Sequence, residues 1–269
     1  MLLPSSREAV VYKCNLHRGG IHLLETVRLL KAFAVHGDFK RLSEEALKEN
    51  LLGKTSTHTI KAMLQAFRRR FLNPHPSLPP AALVARAVKA ALPEVAKTHI
   101  LFPYYLLSDA LVADIYRELV LPQVSRGNGV LTRDAVLGFL EEKSRTHPEL
   151  KKWAAYTKVR WARGMLAFLR DFGLLERAPG TKLRPLILQR EAFAFYWLWL
   201  REQGLSFREA RAHELWPLLQ VSEPWFAELV FAGQKERWWR YEEAGGLVEF
   251  HTPFATVEEW LRSAVGFED

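Results

Sequence analysis

Three arginines, Arg160, Arg163 and Arg170, could do one piece of chemistry together. A guanidinium donates paired, parallel hydrogen bonds, which suit phosphate oxygens and the edge of guanine. At 100° per residue, Tyr156, Arg160, Arg163, Ala167 and Arg170 fall within about 80° of one another on a helix. Trp161, Met165, Phe168 and Phe172 occupy an arc centred roughly 150° away, so burying that aromatic stripe turns the arginines outward. Arg177, Lys182 and Arg184 follow close behind. The same pattern also fits an amphipathic helix whose charged face is simply solvated. A second basic group comprises Lys61 with Arg68 and Arg69 of the run Arg68-Arg69-Arg70. It could clamp phosphates, or favour a helix C-terminus through the macrodipole. Thr55 and Ser56, with Thr57, could donate hydroxyl and backbone N–H bonds to a phosphate at a helix start, or cap that helix.

Nothing in the chain suggests catalysis. The nine histidines form no H-E-x-x-H and no paired His/carboxylate spacing, and G-x-x-x-x-G-K-[ST], G-x-G-x-x-G and G-x-S-x-G are all missing. No catalytic residue, metal ligand or cofactor is expected. The lone cysteine, Cys14, excludes an internal disulfide and a Cys-based zinc site. Residues 1–190 carry 31 Lys+Arg against 16 Asp+Glu, whereas residues 191–269 carry 7 against 14. A basic surface without a phosphate-handling motif points to a polyanion ligand, bound by attraction and counterion release. An apolar fraction of 49% with nine Trp and sixteen Phe excludes a disordered chain. Met1 to Arg7 lacks an apolar leader region, and Ile100–Leu107 and Phe193–Leu200 are too short to span a bilayer, so a cytoplasmic protein with no membrane contact is expected.

The hydrophobic period is helical almost throughout. It predicts a helix from Ile21 to His36 with Gly37 after its end, a second from an N-cap at Ser43 to Leu52 with Gly53 as terminator, and a third from His58 to Phe71. These resemble a helix-turn-helix unit. A linker at Pro74–Pro80 precedes helices at about 80–92 and 108–121, which flank an apolar segment containing Tyr104 and Tyr105. A turn at Gly127, Asn128 and Gly129 follows.

The stretch from Leu131 to Leu188 predicts a helix capped by Thr132, a short one opened by His147 and Pro148, and a third from Tyr156 to Phe172 stopped by Gly173. Leu174–Arg177 and Lys182–Leu188 then read as a β-hairpin joined by Ala178-Pro179-Gly180-Thr181, with Pro second and Gly third as a type II turn prefers. Pro185 confines its strand to an edge. This is the order of a winged helix, in which the helix before the wing enters the DNA major groove. In the acidic end, Ser206 with Glu209 and Thr256 with Glu259 predict capping boxes, and Gly246–Phe250 a strand. Trp216, Trp225, Trp238 and Trp239 there are core residues or a protein-docking face.

The run Gly19-Gly20-Ile21-His22-Leu23-Leu24-Glu25-Thr26, with Gly37-Asp38-Phe39, Glu49-Asn50-Leu51-Leu52 and Lys54-Thr55-Ser56-Thr57, resembles the N-terminal signature of BrxA proteins of BREX, a bacterial anti-phage defence system. Tyr104-Tyr105-Leu106-Leu107, His147-Pro148-Glu149-Leu150 and Arg163 to Phe172 with Gly173-Leu174-Leu175 are similar to the same family in order and spacing. These motifs are mostly structural and cover residues 12 to about 190. The resemblance implies a helical, non-enzymatic DNA-binding component acting beside a methyltransferase, a phosphatase-like protein and an ATPase.

The expected fold class is mainly α. Residues 1–76 form a helix-turn-helix-like helical domain, 77–130 connecting helices, 131–190 a winged-helix domain with a short β-hairpin, and 191–269 an acidic, Trp-rich helical module. The expected ligand is double-stranded DNA, held mostly through phosphate contacts with low sequence specificity. A protein-interaction scaffold that docks other BREX components is the alternative.

Overall fold

The computed structural model describes residues 11–16, 21–127, 129–244 and 247–266. Gly19, Gly20, Asn128, Gly246 and the segment Met1 to Arg7, all used above, lie outside them. The chain is mainly helical, and its contacts group into two compact units. The first unit combines Met1–His22 with Leu106–Pro185, and the second combines Leu23–Tyr105 with Leu186–Asp269. Among the described residues, no helix is long and apolar enough to cross a membrane.

The second unit opens with α1 (Leu23–His36), whose end is marked by Gly37 at φ +64°, donating to the Phe33 carbonyl at 2.8 Å. Helix α2 (Phe39–Lys48) starts earlier than expected, because Asp38 and not Ser43 caps it. The Asp38 carboxylate accepts from the Arg41 N–H at 2.8 Å, while the Ser43 hydroxyl is spent on the Phe39 carbonyl inside the helix. It also stops before Gly53, since Asn50 already takes the left-handed conformation at φ +49°. Helix α3 (Thr57–Phe67) continues as a π-helical turn, Arg68–Leu72, and buries Ile60, Met63, Leu64, Phe67 and Phe71. Helix α4 (Ala81–Lys89) packs on α1.

The segment around Tyr104 and Tyr105 is itself a helix, α5 (Glu94–Leu107), with Pro103 inside it. The Tyr104 hydroxyl donates to the Pro79 carbonyl and that of Tyr105 to Thr26 Oγ1, each at 2.6 Å. The Pro-rich stretch is thereby packed, with Leu78 and Pro79 buried.

In the first unit, α6 (Ala110–Ile115) is capped by Asp109 instead of opening at Ser108, and runs through a π-helical stretch, Tyr116–Val120, into α7 (Leu121–Ser125). Helix α8 (Arg133–Lys143) begins where expected, Thr132 Oγ1 accepting from the Ala135 N–H at 3.1 Å. After the short α9 (Pro148–Lys151) comes α10 (Ala155–Asp171), packed on α8 and followed by Gly173 at φ +74°.

Beyond Gly173 the expected two-segment hairpin is a three-segment arrangement. Residues 181–184 run between 129–131 and 174–176. On one side Leu131 N–H donates to the Thr181 carbonyl and Leu183 N–H to that of Gly129, both at 2.8 Å. On the other, Glu176 N–H donates to the Lys182 carbonyl at 3.0 Å and Arg184 N–H to that of Leu174 at 2.9 Å. Single bridges, Val130 with Lys182 and Leu175 with Leu183, take the place of a long ladder.

The turn is not type II. It spans Arg177–Gly180, one residue earlier than expected, closed by the Gly180 N–H on the Arg177 carbonyl at 2.7 Å. Pro179 therefore stands third, after a cis Ala178–Pro179 bond, as in a type VI turn. Gly180 is needed for closeness and not for positive φ: a Cβ there would lie 2.7 Å from Glu176 Cβ and 2.8 Å from the Arg177 oxygen.

The remaining chain completes the second unit with α11 (Arg190–Glu202), α12 (Phe207–Arg211), α13 (Leu215–Leu218), α14 (Glu223–Lys235), strands β1 (Arg240–Ala244) and β2 (Leu247–His251), and α15 (Val257–Trp260). The Ser206–Glu209 capping box forms reciprocally, at 3.2 and 2.8 Å. That of Thr256 forms by half, since Glu259 turns its carboxylate to the Ala255 N–H. Antiparallel β1 and β2 place Tyr241 opposite Phe250. Strand β1, Arg-Tyr-Glu-Glu-Ala, carries too few apolar residues to show a period of two. Trp197, Trp216, Trp238, Trp239 and Trp260 are buried, so the tryptophans of the acidic end are mostly core. Arg86 pairs with Glu258, and Ser77 donates to Glu214 at 2.8 Å, which ties this acidic end to the basic segment before it.

Candidate nucleic-acid interface

Helix α10 sorts its residues as its angles require. Trp161, Met165 and Phe168 are at most 1% exposed and Phe172 3%, while Arg160 and Arg163 are exposed on the other side. Tyr156 stands beside them at 67% exposure, its ring centroid 5.6 Å from the Arg160 guanidinium. Arg177, Lys182 and Arg184, carried by the turn and the 181–184 segment, are exposed as well. Arg184 lies at 3.8 Å from Glu176, a loose pair in solvent. Neighbouring cations are engaged more closely: Lys158 meets Glu141 at 3.2 Å and Lys143 meets Glu118 at 2.6 Å.

Arg170 behaves differently from the rest of the arginine face. The chain reverses at Gly173 and crosses the end of α10, which brings two carbonyls within its reach. Nε donates to the Glu176 carbonyl at 3.0 Å and Nη2 to the Gly180 carbonyl at 3.1 Å. Helical angles could not show this, because the partners belong to a segment that folds back.

The second basic group lies on α3 and its π-helical turn, in the other unit. Lys61 and Arg68 are exposed, and Arg69 is partly buried. Thr55 and Ser56 are exposed too; Ser56 occupies the N-cap position, yet its hydroxyl makes no capping bond. The distribution of charge separates the two groups. The first unit holds 17 Lys+Arg against 10 Asp+Glu, net +7, and the second 21 against 20, net +1. Folding therefore balances the basic segment 23–105 with the acidic one after 186, and the excess positive charge stays with the unit that carries α10.

Several distinctive residues have structural duties. The Tyr12 ring stacks on His147 at 4.0 Å, its N–H donates to Glu149 at 2.8 Å, and its hydroxyl donates to Asp114 at 2.6 Å. Burial, and then the Asp114 carboxylate, push that hydroxyl well above the ordinary tyrosine range. In the second unit, buried His99 accepts at Nδ1 from the Gln189 N–H at 3.1 Å, and burial lowers its pKa to about 4. Among the described residues, no three His, Cys, Asp or Glu side chains gather where they could hold a metal ion.

No curated protein matches the chain. Among solved structures, the crystal structure of an uncharacterized protein from Magnetospirillum magneticum matches with a TM-score of 0.56 at 17% identity, covering 72% of this chain and 94% of that one. At that identity the likeness is one of fold. The BrxA family model matches residues 11–196, which take in α1 to α10, the arginine face and the three extended segments. By that match, over more than half of its length, the chain belongs to the BrxA family.

Proposed function

We propose that this chain is a non-enzymatic, double-stranded DNA-binding component of a BREX anti-phage defence system, gripping the duplex largely through phosphates with low sequence specificity. Membership of the BrxA family supports the BREX-associated role. The observation that carries the DNA reading is the exposed pair Arg160 and Arg163 with Arg177, Lys182 and Arg184, on the unit that holds nearly all the net positive charge. The order of segment 129–131, α8, the short α9, α10, segment 174–176, turn and segment 181–184 supports a winged-helix reading. In this reading α10 lies along the duplex and the turn is the wing. Helix α10 contains no Asn or Gln, the residues that read adenine, and its exposed arginines serve phosphate as readily as guanine. Low specificity follows from that composition.

Lys61 and Arg68, with Thr55 and Ser56, form a secondary contact in this reading, weakened by the balanced charge of their unit. The cytoplasm, where host and phage DNA meet, is the compartment it requires, and the BREX methyltransferase, phosphatase-like protein and ATPase are its protein partners. The test is a gel shift on random-sequence duplex at two salt concentrations, beside co-purification with the other BREX proteins. Binding that weakens steeply with salt supports the proposal. No binding at low salt, together with intact co-purification, replaces it with the scaffold.

A further inference from the structure

We propose that Arg170 is a positioning residue that latches the wing to the end of α10, so that Arg177, Lys182 and Arg184 meet the duplex as one body with Arg160 and Arg163. This rests on the DNA-binding reading above. The two carbonyls held by Arg170, of Glu176 and Gly180, belong to the two sides of the wing turn, one just before Arg177 and the other just before Thr181. A single planar fork therefore spans the turn at its base. Backbone bonds hold the base of the wing on both sides, the Glu176 N–H on Lys182 and the Arg184 N–H on Leu174, the Leu131 N–H on Thr181 and the Leu183 N–H on Gly129, while the turn itself is closed by the Gly180 N–H on Arg177. Beyond the Glu176–Lys182 bond the turn has that one backbone closure, so backbone pairing alone leaves the turn itself weakly determined. Gly180 completes the device, since its missing Cβ is what lets the turn close over Glu176. The helix that carries the exposed arginines thus also carries the residue that aims the wing.

A latch and a phosphate contact differ in what lysine can replace. Lysine keeps the charge but offers a compact ammonium in place of a fork, so it cannot hold both carbonyls in the same way. The experiment compares Arg170→Lys and Arg170→Gln with the full-length parent by amide hydrogen exchange and by duplex binding. With a latch, both variants speed exchange at Glu176, Gly180 and Leu183 by about tenfold or more, while the amides in the middle of α10 keep their protection. Both lose affinity to a similar degree. In either background, further replacement of Arg177 and Lys182 by Ala changes affinity less than twofold, because the wing no longer contributes. If Arg170→Lys binds as the parent while Arg170→Gln fails, Arg170 is a charge contact and the latch is overturned. Unchanged exchange in both variants overturns it as well. If the parent binds no DNA, the functional reading falls, and the exchange measurement alone still decides whether Arg170 holds the wing.

Discussion

Replacing Arg160 and Arg163 together by Ala removes two of the five exposed cations of the proposed interface and leaves the buried side of α10 untouched. Each neutralised phosphate contributes about −0.9 to the slope of log K against log salt, so five contacts give roughly −4.5 and the remaining three roughly −2.7. Between 50 and 200 mM salt the parent should then lose about 500-fold in affinity and the double variant about 40-fold. Fluorescence anisotropy with a labelled random-sequence duplex over that range measures both slopes. Stability should barely move, within about 0.5 kcal/mol, since both side chains are exposed and alanine suits a helix. An unchanged slope in the double variant would show that the phosphates are held elsewhere. A slope that flattens in Lys61→Ala/Arg68→Ala instead would move the interface to α3 and the second unit.

Two further outcomes concern folding. Phe168→Ala should cost about 3–5 kcal/mol, because its ring is 1% exposed and packs 5.1 Å from that of Phe172; urea melts showing less than about 1 kcal/mol would contradict the burial. His99 has a folded-state pKa near 4, below the unfolded value, so the unfolded chain takes up its proton first as the pH falls. Its contribution should be complete above about pH 6.5, decline between there and pH 4, and level off below, by a few kcal/mol in all. Denaturation midpoints across that range should flatten in His99→Gln, and equal pH dependence in the variant and the parent would refute the assignment.

The removal of residues 191–269, which their acidity invites as a test of DNA affinity, would dismantle the second unit. The Tyr196 hydroxyl donates to the Ile100 carbonyl, the Ser77 hydroxyl to Glu214 and Arg86 pairs with Glu258, all joining residues beyond 191 to the segment 23–105. An unfolded remainder would say nothing about repulsion of DNA.

Where stabilisation is local, the amino-acid order was enough. The aromatic stripe and arginine face of α10 follow from a period of 3.6 residues, the starts at Thr132 and Ser206 from side chains that reach three residues ahead, and the end of α1 from Gly37. Local signals failed where two of them competed, as Asp38 against Ser43, or where a glycine had two uses, as Gly180 did. The tertiary structure alone decided what distant segments do to one another. It supplied the strand partner of 247–251, set the Glu176 and Gly180 carbonyls around Arg170, and matched an acidic segment after 186 to a basic one before 105. Hydrogen bonds and ion pairs between residues far apart in the chain leave no period to read. Arg170 shares its angle with Arg160 and Arg163, and only the fold distinguishes its place from theirs.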